Sequence, residues 1–293
     1  HIVYPVAIQR KLDGGRTVAY AGADGKAVLY SRKLKDIKGQ ANIVKDLNIL
    51  FKKIKKTYPG AYLDGELYQH GLSLQQISGI MRRDARSKTT ARESSRGVQE
   101  TQLGYHIFDI FFPEDAKLAK MPFIERKRVL DTIMAENKSP RLVLVKTYIA
   151  NNEAESQLAY DTFLKEKYEG AIIRNLAGVY EFSAAREMRT YQVRKRKPRY
   201  SAEYKVIGYT EGSKGKDKGA IIWVLETDNQ IQFTSTPVGI DYAERYRLFK
   251  LFRSKPAEFA NNYKDKKMTV EYDDISTDGV PLRAKAKCLR VIA

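Results

Sequence analysis

The sequence predicts an α+β chain of two domains, and three observations carry that expectation. Strand-like and helix-like runs are mixed over the first two-thirds without steady βα repetition, which favours packed antiparallel sheets with helices. Composition then shifts at Arg194 to Arg199, RKRKPR, where a proline inside a charge cluster marks a boundary. Beyond it the pattern simplifies to three strands, a helix and two strands. At 293 residues the chain exceeds the usual single-domain size, so the expected division is 1–199 and 200–293.

Taken in order, the first strand-like runs are IVYPVAIQRK, RTVAYAG, AVLYSR, AYLDGELY, YHIFDIFF, LVLVKTYI, GAIIRN and MRTYQVRK. Asp13-Gly14, between the first two, reads as a hairpin turn with Lys11 just before it and Arg16 starting the return strand. Helices are expected at ANIVKDLNILFKKIKKTY, FIERKRVLDTIMAEN and NEAESQLAYDTFLKEKY, where apolar residues recur at three-to-four spacing. The second part reads AEYKVIGYT, AIIWVLET, QIQFTST, a helix DYAERYRLFKLF, then MTVEYDDI and AKAKCLRVI. That order predicts a five-stranded OB-fold β-barrel, a fold widely used to hold nucleic acid.

Composition excludes several classes. Hydrophobic residues make up 43% of the chain, enough for ordinary cores, yet no apolar run approaches bilayer-spanning length and no signal-like block is present. The chain is therefore expected to be soluble, with no membrane partner. One cysteine, Cys288, and three histidines rule out an intrachain disulfide and a cysteine-based zinc site, and fit a reducing, intracellular compartment. Charge is the strongest global signal, with 53 Lys+Arg against 35 Asp+Glu, formally +18. Such an excess favours a polyanion, and nucleic acid leads because no basic amphipathic helix suited to a lipid surface stands out. His1 is followed almost at once by a strand, so the natural beginning is expected upstream.

Two basic stretches fall in expected loops. Arg82 to Arg96, RRDARSKTTARESSR, has few apolar residues and is expected to be mobile. Gly212 to Gly219, GSKGKDKG, joins the first two barrel strands and is not a phosphate-cradling P-loop, since Asp217 follows Lys216 where Ser or Thr is required.

Paired charges sit at several strand ends. A nucleophilic Lys11 needs a neighbouring cation, a metal or desolvation to favour its neutral form, and charged groups placed for a phosphoryl centre. Asp13 lies two residues on, which in an extended strand puts both on one face. Asp64 and Glu66 flank Gly65 with the same spacing, Glu169 and Arg174 lie in YEGAIIRN, and Lys195 and Lys197 project together if extended. Phe108 lies in YHIFDIFF, where an aromatic is ordinarily core. Each piece is commonplace; five in this order are not.

The set resembles the covalent nucleotidyltransferase superfamily, most closely the ATP-dependent DNA ligases of minimal, virus-like size. KLDGGR at 11–16 looks like motif I, DGE at 64–66 like motif III, HIFDIFF at 106–112 like motif IIIa, EGAIIR at 169–174 like motif IV and KRK at 195–197 like motif V. The resemblance implies a nucleotidyltransferase (adenylation) domain followed by the OB-fold. It implies that Lys11 attacks the α-phosphate of ATP and holds AMP, that Arg16 and Glu66 bind the ribose, and that Phe108 stacks on adenine. It further implies that Glu169 helps hold Mg²⁺, for which Mn²⁺ could substitute, with Asp13 near lysine and metal. Lys195 and Lys197 would meet the α-phosphate, and Arg32 the 5′-phosphate of a nick.

The last hairpin, DGVPLRAKAKCLR, resembles motif VI but departs from its commoner pattern, leaving Arg283 and Arg290 as candidates to orient pyrophosphate. AMP would then pass to the 5′-phosphate of nicked duplex DNA and leave as the 3′-hydroxyl attacks. Arg174, Arg82, Arg83, Lys214 and Lys216 are expected to contact DNA, the two basic loops helping a monomer, with no separate DNA-binding domain ahead of it, to encircle the duplex. An mRNA-capping guanylyltransferase and an RNA ligase share the lysine-nucleotide chemistry, and a non-catalytic OB-fold nucleic-acid-binding protein is the reading from another class. Arg174 and AEYKVIGY look more like a DNA ligase of viral or bacterial type.

Overall fold

The structure, a computed structural model, describes residues 2–82, 103–181, 192–276 and 278–290. The chain divides into two compact units, His1–Arg196 and Lys197–Ala293.

The first unit contains β1 (Val6–Lys11), β2 (Gly15–Ala21), β3 (Ala27–Ser31), α1 (Ala41–Ile54), β4 (Tyr62–Tyr68), α2 (Leu74–Met81), β5 (Gly104–Phe111) and α3 (Phe123–Ala135). It continues with β6 (Leu142–Leu144), β7 (Thr147–Ala150), α4 (Glu153–Lys165), β8 (Gly170–Asn175) and β9 (Val193–Arg196). Two sheets form, one in the order β3-β2-β4-β5-β6 and one in the order β7-β1-β8-β9.

The strand order corrects two expectations. β1 and β2 belong to different sheets, so Asp13-Gly14 carries the chain from one sheet to the other instead of closing a hairpin. LVLVKTYI likewise splits: β6 pairs parallel to β5, while β7 pairs antiparallel to β1. The run is rich in strand-forming residues throughout, and local propensity does not mark the point at which it passes from one sheet to the other. The first unit is therefore mixed α+β, with one parallel ladder among antiparallel ones.

Helix α1 buries Ile43, Leu47, Leu50, Phe51 and Ile54, one face at helical spacing, and ends with Lys52 and Lys53 near its negative pole. Helix α2 was not read from the sequence, although Ser73 and Gln76 form a reciprocal capping box at its start. Between the sheets lies a buried ion cluster. Asp109 of β5, 1% exposed, accepts Arg126 Nε and Nη2 at 2.9 and 3.0 Å and Arg174 Nη1 at 3.0 Å. Arg174 Nε reaches Gln9 Oε1 at 2.8 Å, so β1, β5, β8 and α3 share one network.

The second unit contains β10 (Tyr200–Glu211), β11 (Ile221–Glu226), β12 (Gln232–Pro237), α5 (Tyr242–Ser254), α6 (Pro256–Asn262), β13 (Lys267–Tyr272), β14 (Asp274–Ile275), β15 (Pro281–Leu282) and β16 (Lys285–Leu289). Its ladder runs β10-β11-β12-β16-β13, with β13 pairing back to β10 and β12 parallel to β16. Val206, Trp223, Leu225, Phe252 and Val270 fill its core. The short α6 and the β14-β15 pair were not anticipated. The connection around Lys214 and Lys216 is tied down by side chains of α5. Arg245 holds Asp217 at 2.7 Å, and Tyr246 donates to the Lys216 carbonyl at 2.5 Å.

Candidate active site

Lys11 closes β1, the strand flanked by β7 and β8. Its register partner is Gly170, and the Glu169 N–H donates to the Lys11 carbonyl at 3.1 Å. That backbone bond brings the Glu169 carboxylate onto the Lys11 ammonium as an ion pair. Gly170 has φ +150°, a conformation that a side chain disfavours, and it lets β8 start directly after Glu169.

β1 ends at Lys11, with Leu12 buried and Asp13 exposed just beyond the strand. Asp13 acts electrostatically on Tyr68, whose hydroxyl is pushed up first by burial and then by Tyr168, Asp13 and Glu66.

Gly14 is required by close approach. A β-carbon there would strike the Leu67 carbonyl oxygen of β4 and come within 2.9 Å of Glu66 Cγ. Its N–H donates to Glu66 Oε1 at 3.1 Å. Gly14→Ala is expected to push β2 from β4, lower stability by about 1–3 kcal/mol and weaken nucleotide binding; thermal denaturation and equilibrium binding check both.

Glu66 is pushed up to about 7, first by burial, with Glu169 and Asp64 adding to the rise while Lys11 and the Gly14 N–H oppose it. A raised carboxyl binds its proton more tightly in the folded state, so its contribution is fullest below the ordinary value of 4.5 and is lost as pH rises to about 7. Glu66→Gln removes that loss. The stability of the variant relative to wild type is expected to improve by on the order of 1–3 kcal/mol between acid and neutral pH. Urea denaturation across the range measures it, and a pH-independent difference would contradict it.

Arg16, on β2, sits opposite Glu66 in register but pairs with Asp64 two residues away, Nε to Oδ1 at 3.1 Å and Nη2 to Oδ2 at 2.7 Å. Lys195, on β9, lies opposite Ile172 of β8. Its ammonium is held below the ordinary lysine range by burial first, then by Lys11, Arg32 and Arg16. Arg32 is exposed just after β3. The first unit thus gathers Lys11, Arg16, Arg32, Glu66, Glu169 and Lys195 around one electrostatic centre.

Other expected residues fall elsewhere. Phe108 is half-buried, its carbonyl accepting from Gln9 Nε2 at 3.3 Å and its ring facing the Arg174 guanidinium at 5.2 Å. Arg174, expected at DNA, is 7% exposed and committed to Asp109, Gln9 and that ring; its burial corrects the surface role. In the second unit, Lys197 and Arg283 both donate to Asp273 Oδ2. Arg290 pairs with Glu203 at 2.7 Å. Lys214 and Lys216 are exposed, as is Arg82, whose Nε donates to the Ser78 carbonyl at 3.0 Å. Arg83 and all the rest of the basic loop, 84–96, lie outside the described residues.

Asp109, Arg126 and Tyr180 were missed as members of this framework. Asp109 stands inside the aromatic run HIFDIFF, where a lone carboxylate among apolar residues signals a buried partner.

Residues 4–193 match the family model described as the ATP dependent DNA ligase domain. A DNA ligase of African swine fever virus is 37% identical over 281 residues, covering 95% of this chain and 62% of that protein. The chain thus spans about three-fifths of the length of the curated viral relatives it matches. Among solved structures, one from a study of Lig E DNA ligases, described as binding DNA with a minimal scaffold, matches at TM-score 0.68 and 20% identity, covering 98% of this chain and 93% of that one. The ATP-dependent DNA ligase of bacteriophage T7, in complex with ATP, matches at TM-score 0.51 and 17% identity over 98% of this chain and 92% of that one. These structural likenesses speak to the fold.

Proposed function

This chain belongs to the ATP-dependent DNA ligase family, and from that premise we propose that it seals 5′-phosphate/3′-hydroxyl nicks in duplex DNA. The observation that carries the proposal is the Lys11–Glu169 pair at a strand end, with Arg16, Glu66 and Lys195 converging on it. The Lys11 ammonium, paired with Glu169, first gives a proton to solvent; Nζ then attacks the α-phosphorus of ATP, a P–N bond forms, the bond to pyrophosphate breaks, and the second proton that nitrogen sheds also passes to solvent. Lys195 offsets charge growing on the α-phosphate oxygens. Glu66 and Arg16 hold the ribose, and Phe108 offers a ring to adenine. AMP then moves to the 5′-phosphate of the nick, met by Arg32, and leaves when the 3′-hydroxyl attacks that phosphate.

No group of three or more metal-ligating side chains occurs among the described residues. Mg²⁺ needs fewer, because it is commonly held by one or two carboxylates together with substrate phosphates. Glu169, an oxygen donor paired with the nucleophile, suits that mode, with Asp13 as a further carboxylate. When bound, the ion would draw charge from the phosphates and compete with Lys11 for Glu169.

We assign the first unit as the adenylation domain and the second as an OB-fold, supported by its five-stranded ladder order. Lys197 and Arg283 would release Asp273 to meet ATP phosphates. Exposed Lys214, Lys216 and Arg82, with Arg83, would contact the duplex, which a monomer encircles. Intracellular DNA is the setting this chemistry requires; no helix among the described residues is long and apolar enough to cross a membrane. Family membership leaves the guanylyltransferase, RNA ligase and non-catalytic readings without support.

The test is a nicked duplex labelled at its internal 5′-phosphate, incubated with protein, Mg²⁺ and ATP or GTP. Sealing with ATP alone is the expected result; no sealing, or sealing driven equally by GTP, would overturn the proposal.

A further inference from the structure

Asp64 is 1% exposed, yet its carboxylate gathers three donors from two distant segments. Arg16 supplies Nε and Nη2, at 3.1 and 2.7 Å, and the Tyr180 hydroxyl donates to Oδ2 at 2.7 Å. Arg16 Nη2 also donates to the Tyr180 oxygen at 3.1 Å, which closes a ring of hydrogen bonds. The tyrosine is itself fixed: its ring stacks on Phe111 at 4.1 Å between centroids and 18° between planes, and the Arg126 guanidinium lies 5.6 Å from it. An arginine fork held on two sides has little rotamer freedom left. Its side chain is nevertheless 47% exposed, and Nη1 has no hydrogen-bond partner among the described residues.

A charge buried this deeply is costly unless it is fully hydrogen-bonded. A single bidentate arginine would satisfy the Asp64 carboxylate. The added hydroxyl, reaching carboxylate and guanidinium together, does more: it selects one orientation of the fork.

We propose that Tyr180 is a positioning residue for nucleotide recognition, its hydroxyl and Asp64 together fixing Arg16 so that the open Nη1 edge meets the ribose hydroxyls of ATP. This rests on Arg16 being a ribose ligand, and it adds a residue outside the motifs that carry the family resemblance. Preorganisation of this kind acts on binding, since it removes an ordering cost from the moment of association. The chemical step at Lys11 is then little affected.

The experiment is single-turnover formation of the protein–AMP adduct by wild type, Tyr180→Phe and Arg16→Ala, each with ATP and with 2′,3′-dideoxy-ATP. Tyr180→Phe keeps the ring on Phe111 and removes only the hydroxyl. It is expected to raise the half-saturating ATP concentration about threefold to tenfold, the worth of one hydrogen bond, with the maximal rate changed less than about twofold. With dideoxy-ATP, which lacks the hydroxyls Arg16 would bind, the variant is expected to match wild type. The ratio between the two nucleotides is taken within one variant, so a partial loss of folded protein cancels from it.

Equal weakening toward both nucleotides would make Tyr180 merely structural and overturn the proposal. An unchanged Tyr180→Phe beside an Arg16→Ala that loses its preference for ATP over dideoxy-ATP would overturn it while sparing the role of Arg16. An Arg16→Ala that keeps the wild-type preference would remove the ribose assignment and the proposal with it.

Discussion

Lys11→Ala is expected to lower formation of the protein–AMP adduct by at least about a thousandfold, because no other group can replace an absent nucleophile. Lys11→Arg is expected to fail equally. A guanidinium keeps its charge at any working pH, so it cannot offer the lone pair that must reach phosphorus. Both variants should still join a nick that already carries AMP on its 5′-phosphate, since that substrate enters after the lysine has done its work. Label transfer on a denaturing gel measures the first effect, and sealing of a pre-adenylated nick the second. Failure of both reactions would mean that Lys11 supports the whole site, not one step.

Asp109→Ala is expected to cost about 3–5 kcal/mol, the penalty of removing one partner from a buried ion cluster. Arg126 and Arg174, 3% and 7% exposed, would each be left charged with no carboxylate between them. The consequence reaches the site, because Arg174 covers the ring of Phe108 and holds Gln9, two residues before Lys11. Chemical denaturation should therefore show the large loss, with weaker nucleotide binding at temperatures where the variant is folded. A loss below about 1 kcal/mol would mean that water reaches Asp109 and that the cluster is not the clamp between sheets described above.

The candidate site was legible wherever chemistry and spacing coincide. Lys11 ends β1, Glu169 immediately precedes β8, and Glu66 and Lys195 lie within β4 and β9, where an extended backbone constrains their direction. What escaped was long-range. Asp13-Gly14 looks the same whether it turns a hairpin or crosses between sheets, because local propensity does not encode the strand's partner. Arg174 was read as a surface cation, since a sequence does not reveal a carboxylate 65 positions away; Asp109, alone in an aromatic run, was the available hint. Tyr180 went unread because its partners, Asp64 and Arg16, lie 116 and 164 positions distant. The order of strands in the second unit was legible, while α6 and the short β14-β15 pair were too brief for periodicity to register.

The most direct test of the central claim is the intact mass of nucleotide-cleared protein after incubation with Mg²⁺ and ATP, followed by peptide mapping and a chase with nicked duplex DNA. The account expects one AMP per chain, on the peptide carrying Lys11, and its loss to the nick in the chase. An adduct on another residue, an adduct from GTP but not ATP, or no adduct at all would contradict it.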